Sequence, residues 1–122
     1  MTSPDGKVVV DILDGGEFRM GGPFIGTIAL STGPRFDHCG ESMIFSDESR
    51  HLAVATWEQR ETTDGVRLAQ RVLIIAVHTG ASVQWPEEFD ELAFRAFEGG
   101  TLHAVDSPRG EAREFRISSR LP

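Results

Sequence analysis

The sequence predicts an all-β fold: a single-domain antiparallel β-sandwich or curled sheet, with blade-like hairpins and at most one short helix. Three observations carry this reading. Residues 41–80 run as strand, tight turn, strand, polar hairpin tip and a wholly apolar strand closed by Gly80. Turn signals recur at intervals of roughly 8–12 residues, which leaves room for about eight to ten short strands. The one stretch with a helical stripe, 85–97, fits a hairpin as well. A chain of 122 residues makes one domain, 1–122, and buries roughly 65% of its unfolded surface without help from a disulfide or metal.

Val8, Val9, Val10, Ile12 and Leu13 open the chain as a β-branched first strand, and Asp14-Gly15-Gly16 reads as the turn that ends it. Residues 17–20 alternate polar and apolar. Gly21-Gly22-Pro23 then interrupts them as a bulge, bend or loop, because proline cannot donate to a ladder. Residues 24–30 resume as a strand. Ser31-Thr32-Gly33-Pro34 is loop chemistry, and 35–40 reads as irregular, holding the His38-Cys39 pair.

Strands at 42–45 and 51–57 flank a turn at Ser46-Asp47-Glu48-Ser49, where short polar side chains bond the nearby backbone. Asp64-Gly65 is a hairpin signal, and residues 67–78 return. Residues 72–77 lack alternation, which predicts a central strand covered on both faces. In 85–97, Pro86 followed by acids resembles a helix start, and Phe89, Leu92, Ala93, Ala96 and Phe97 share a helical face. The alternative is a hairpin, in which Leu92, Phe94 and Ala96 alternate, Gly99-Gly100 turns and 101–105 returns. Phe94 lies off the helical stripe and the surroundings are β, so the hairpin is preferred, with one helical turn allowed at 87–90. Residues 112–118, with Phe115 and Ile117 between charged neighbours, read as an edge strand.

Composition narrows the function. The net charge of −7 and the absence of a basic run argue against direct nucleic-acid binding. A basic protein partner suits the charge, as does plain solubility. Cys39 is the only cysteine and cannot pair within the chain, which points to a reducing compartment. The first residues do not read as a secretory signal, and no apolar run approaches the ~20 residues of a membrane span. A cytoplasmic location is the expectation.

Phe45-Ser46-Asp47-Glu48-Ser49, Leu52-Ala53-Val54 and the strand ending in Thr79-Gly80 resemble one blade of a TolB-like or WD-repeat β-propeller. The match covers about a third of the chain, and a propeller needs at least about four such blades. It therefore implies a blade-like sheet and not a closed propeller. Gly21-Gly22-Pro23, Cys39-Gly40-Glu41-Ser42, Ser46-Asp47-Glu48-Ser49, Leu52-Ala53-Val54, Trp57 and Gln70-Arg71 together resemble small all-β immunity proteins of bacterial polymorphic toxin systems. That resemblance implies a non-enzymatic cytoplasmic inhibitor that binds a cognate, basic toxin domain. It carries no functional residues with it.

The chemistry-bearing residues are few. Cys39 as a nucleophile needs a base within hydrogen-bond reach. His38 is adjacent and points the opposite way in extended chain, while His51, His78 and His103 lie elsewhere. A buried, inert thiol is the reading. No histidine or cysteine spacing suggests a metal site, no cofactor motif is present, and the Gly-Gly pairs lack the lysine and helix of a phosphate loop. The densest carboxylate cluster is Glu87, Glu88, Asp90 and Glu91, beside Trp85. The hairpin tip adds Glu58, Glu61 and Asp64. These eight residues are the candidate partner-binding set: acids to engage basic side chains, Trp85 as an anchor or as core. Trp57 reads as core.

Overall fold

The computed structural model describes residues 1–17, 23–107 and 110–116, and these form nine antiparallel strands and no helix. Six strands make one sheet in sequence order: β1 (Val10–Glu17), β2 (Phe24–Leu30), β3 (Arg35–Phe45), β4 (His51–Thr62), β5 (Gly65–Ala76) and β6 (Ser82–Gln84). The other three, β7 (Glu91–Glu98), β8 (Thr101–Ser107) and β9 (Glu111–Arg116), make a second sheet in the same meandering order. Neither sheet closes into a barrel.

The β4–β5 hairpin is the axis of the molecule. Its twelve-pair ladder runs unbroken from His51↔Ala76 to Thr62↔Gly65. Alternation then divides its side chains between two cores. Ala53, Ala55, Val72 and Ile74 face the second sheet and pack with Phe89, Leu92, Phe97, Leu102, Ala104 and Phe115. Leu52, Val54, Ile75 and Val77 face the other way, onto Val8, Val10, Ile28, Leu30, Cys39 and Phe45. The large sheet curls over this second core: Thr32, just past β2, donates to the Val77 carbonyl just past β5 at 2.7 Å. The apolar run at 72–77 is thus covered on both faces, and β6 and Phe89 cover the edge of β5.

The hairpin reading of 85–105 holds. Gly99 and Gly100, with φ of 58° and 74°, link Glu98↔Thr101 in a two-residue turn that requires left-handed backbone twice. The helical turn allowed at 87–90 does not form. That segment is extended, and Phe89 exchanges both backbone hydrogen bonds with Gln70 at 2.8 Å. Extended chain satisfies the β5 edge, which a helical turn would leave open.

Other expectations need correction. Asp14-Gly15-Gly16 is not a turn but the second half of β1. The β1–β2 ladder slips one residue at Leu13 and continues, and the Phe24 ring lies over Gly15 where a Cβ would stand. Residues 35–40 are not irregular but the first half of β3. One extra residue is absorbed there beside His38, whose φ is 59°. The turn at Thr62-Thr63-Asp64-Gly65 forms as expected, but the returning strand opens at Gly65, φ 126°, and not at residue 67. That strand ends at Ala76, with 77–79 forming a turn. β6 is a further strand that the sequence reading lacks. The proposed half-strand at 17–20 and the Gly21-Gly22 break lie mostly outside the described residues, as do Ile117 and Ser118. Glu17 is the last residue of β1.

Candidate functional site

The two acidic segments singled out in the sequence do meet in space, and arginines join them. Glu58 lies 3.6 Å from Arg60 and 3.3 Å from Arg71; Glu88 is paired with the same two arginines, at 3.4 Å from Arg71. Arg67 donates to Asp90 at 3.0 Å. Ladder alternation places Glu58, Arg60 and Arg71 on one face of the β4–β5 hairpin. The pairs therefore fasten the crossing segment 85–90 to the hairpin. All these side chains are partly exposed, so each pair is worth little by itself.

The rest of the candidate set divides. Glu61, Asp64, Glu87 and Glu91 are exposed and make no ion pair among the described residues. Trp85 is half-buried against the inter-sheet core, its ring 5.8 Å from that of Phe115. Three of the seven acids are thus internally paired, and four remain presented to solvent.

On the opposite face of the same hairpin the structure forms a cavity of about 650 Å³. Trp57 and Gln70 stand directly across the ladder from each other, one step beyond the apolar seam of Ala55 and Val72. Leu92 and Glu91 border the cavity from the second sheet, Pro23 and Phe24 from β2, and Glu41 and Ser42 from β3. The strand β3 opens this space by bulging. Four steps from Cys39 to Met43 face only two steps, Thr56 to Val54, on β4.

Hydrogen bonding fixes the polar groups here. Leu92 N donates to Gln70 Oε1 at 2.5 Å, which assigns the amide's orientation: its NH2 makes no hydrogen bond among the described residues. Gln70 is only 3% exposed. Phe94 N donates to Ser42 Oγ at 3.2 Å, leaving that hydroxyl its own proton to give. Trp57 Nε1 is buried without a partner among the described residues. An orphaned donor of this kind costs about 1–3 kcal/mol. Gly40 makes the arrangement possible. A Cβ on it would stand 2.9 Å from Trp57 Nε1, 3.0 Å from Gln70 Nε2 and 3.0 Å from the Ala55 carbonyl. Sequence reasoning missed this cluster, although a glutamine heading an apolar run was visible as a signal.

Cys39 is buried, and burial, reinforced by the nearby Asp37 charge, pushes its thiol up to about 11. At neutral pH it therefore stays in the thiol form. Its Sγ lies 3.4 Å from the Phe36 carbonyl. Among the described residues no group of three His, Cys, Asp or Glu side chains is arranged to hold a metal. No protein-family description, curated protein or solved structure matches this chain.

Proposed function

We propose that this protein is a cytoplasmic immunity protein that binds a cognate bacterial toxin domain and occludes its active site. One observation carries the reading. Arg60, Arg67 and Arg71 of the β4–β5 hairpin fasten Glu88 and Asp90, while Glu61, Asp64, Glu87 and Glu91 stay exposed and make no ion pair among the described residues. Acids held on rigid strands steer and orient a basic partner at low conformational cost. Co-expression with a toxin domain, should a neighbouring gene encode one, tests this. A stable complex that relieves toxicity, weakened by joint Glu61→Lys and Glu87→Lys substitution, is the expected result. Free toxin and undiminished toxicity refute it.

A second reading, a β module that self-assembles, has one observation in its favour. On β1, an edge strand, Ile12 and Leu13 are 56% and 48% exposed, and open apolar edges template strand pairing. Light scattering separates the two: a strict monomer at high concentration removes self-assembly.

A further inference from the structure

We infer that the cavity bordered by Trp57, Gln70, Glu41 and Glu91 is a receptor for an arginine side chain presented by an extended peptide segment, with the peptide carbonyl of that segment held by Gln70 and Trp57. The inference deepens the proposed function, because it names what a basic partner would insert and where.

The chemistry of the lining selects this occupant. Glu41 and Glu91 are both exposed and border the cavity from different sheets. Phe24 and Trp57 add aromatic surface. A planar guanidinium matches carboxylates through two parallel N–H donors and stacks on aromatic faces, which a lysine ammonium does not. Acids alone would not identify a ligand. The independent observation is Gln70, almost wholly buried, whose carbonyl is committed to Leu92 N and whose NH2 borders the cavity with no hydrogen bond among the described residues. Beside it stands the indole N–H of Trp57, buried with no partner among the described residues, and both side chains pack closely against Gly40. Donors of this kind ask for an acceptor, not a cation. The site thus offers negative charge at its rim and N–H groups in its floor. A single arginine residue within a peptide supplies the complement of both: a guanidinium at the end of its side chain and a carbonyl on its backbone. A buried donor with nothing to bind is costly in a folded chain, and an incoming carbonyl relieves the one on Trp57.

Titrating the uniformly labelled full chain with acetyl-Gly-Arg-Gly-amide, and reading nitrogen–proton correlation spectra, tests this. The Trp57 indole N–H signal, assigned by its loss in Trp57→Phe, and the Gln70 side-chain NH2 signals are expected to move saturably. The citrulline peptide, neutral but isosteric, and the Glu41→Gln/Glu91→Gln variant are each expected to bind roughly tenfold more weakly. No saturable movement at Trp57, movement confined to Trp85, or equal binding of the citrulline or lysine peptide would overturn the inference. The result is separable from the function proposed above. A protein that takes up the peptide but forms no complex with the toxin domain keeps the receptor and loses the immunity reading. A toxin complex that leaves the Trp57 indole unmoved does the reverse.

Discussion

The seam between the two sheets has two ends, and the same pair of strands builds both. From Ala53 to Ala55 on β4 and from Ile74 back to Val72 on β5, the side chains facing the second sheet are small or apolar and lie sealed against Leu102, Phe97 and Ala104. One step further, the same face carries Trp57 and Gln70, and the seam opens into a cavity whose donors are incompletely used. The backbone ladder does not change across that boundary. What changes is β3, which bulges by two residues and withdraws its cover. A continuous hairpin thus serves as core at one end and as a site at the other, so rigidity at the site comes from packing several residues away.

If the sealed end supplies that rigidity, a cavity made there should cost most. Leu102 is fully buried in the inter-sheet core. Leu102→Ala is expected to destabilise by about 2–5 kcal/mol in urea unfolding, the usual range for deleting a buried leucine side chain. A loss below about 1 kcal/mol would mean that the second sheet is loosely held.

The open end is sensitive to the opposite change. Gly40→Ala places a methyl group against Trp57 Nε1, Gln70 Nε2 and the Ala55 carbonyl, all within 3.0 Å. One of those neighbours is backbone and cannot swing aside. Overpacking of this kind costs about 1–3 kcal/mol. The same unfolding experiment, with the Trp57 indole signal followed in parallel, separates a local shift from a global one. An unperturbed indole with unchanged stability would show the cavity floor to be softer than the seam.

How much of this was legible in the sequence follows from the range of each signal. The apolar run at 72–77 and the Gly99-Gly100 pair speak locally, one through side-chain pattern and the other through a left-handed turn, and both were read correctly. Residues 35–40 misled because β3 slips register beside His38, which breaks the alternation that identifies a strand. Asp14-Gly15-Gly16 looked like a turn because Gly15 is needed for a different purpose, the close approach of Phe24. Among the acids, sequence found the right segments but not their state. The arginines that pair Glu58, Glu88 and Asp90 lie up to 28 residues away in the chain (Arg60 to Glu88). The cavity joins Glu41, Trp57, Gln70 and Leu92, which no local periodicity connects.

A smaller effect distinguishes the two ends by pH. His51 closes the sealed end, its ring stacked 6.3 Å from Phe97. Burial holds its pKa below the ordinary value, with Glu48 opposing and Arg50 reinforcing the shift. A histidine whose folded pKa is depressed lets the unfolded chain take the proton first. Its contribution to stability is therefore intact above about pH 6.5 and is lost as pH falls through the window beneath. Urea midpoints at about pH 7.5 and about pH 5.5 should show this loss, and His51→Gln should reduce it. An equal pH dependence in the variant would assign it to other groups.

The smallest change in stability belongs to the arginine brace, and there the informative readout is kinetic. Arg67 and Asp90 pair at 3.0 Å with side chains 65% and 44% exposed, so Arg67→Ala should cost no more than about 1 kcal/mol, less at high salt. The same substitution removes a positive charge beside Asp90 and leaves that carboxylate unpaired next to Glu91. If the acidic surface steers a basic toxin domain, the variant should associate faster than the parent at low salt, and the advantage should vanish as salt is added. Slower association would mean that Arg67 itself touches the partner, and the brace would then belong to the interface instead of standing behind it.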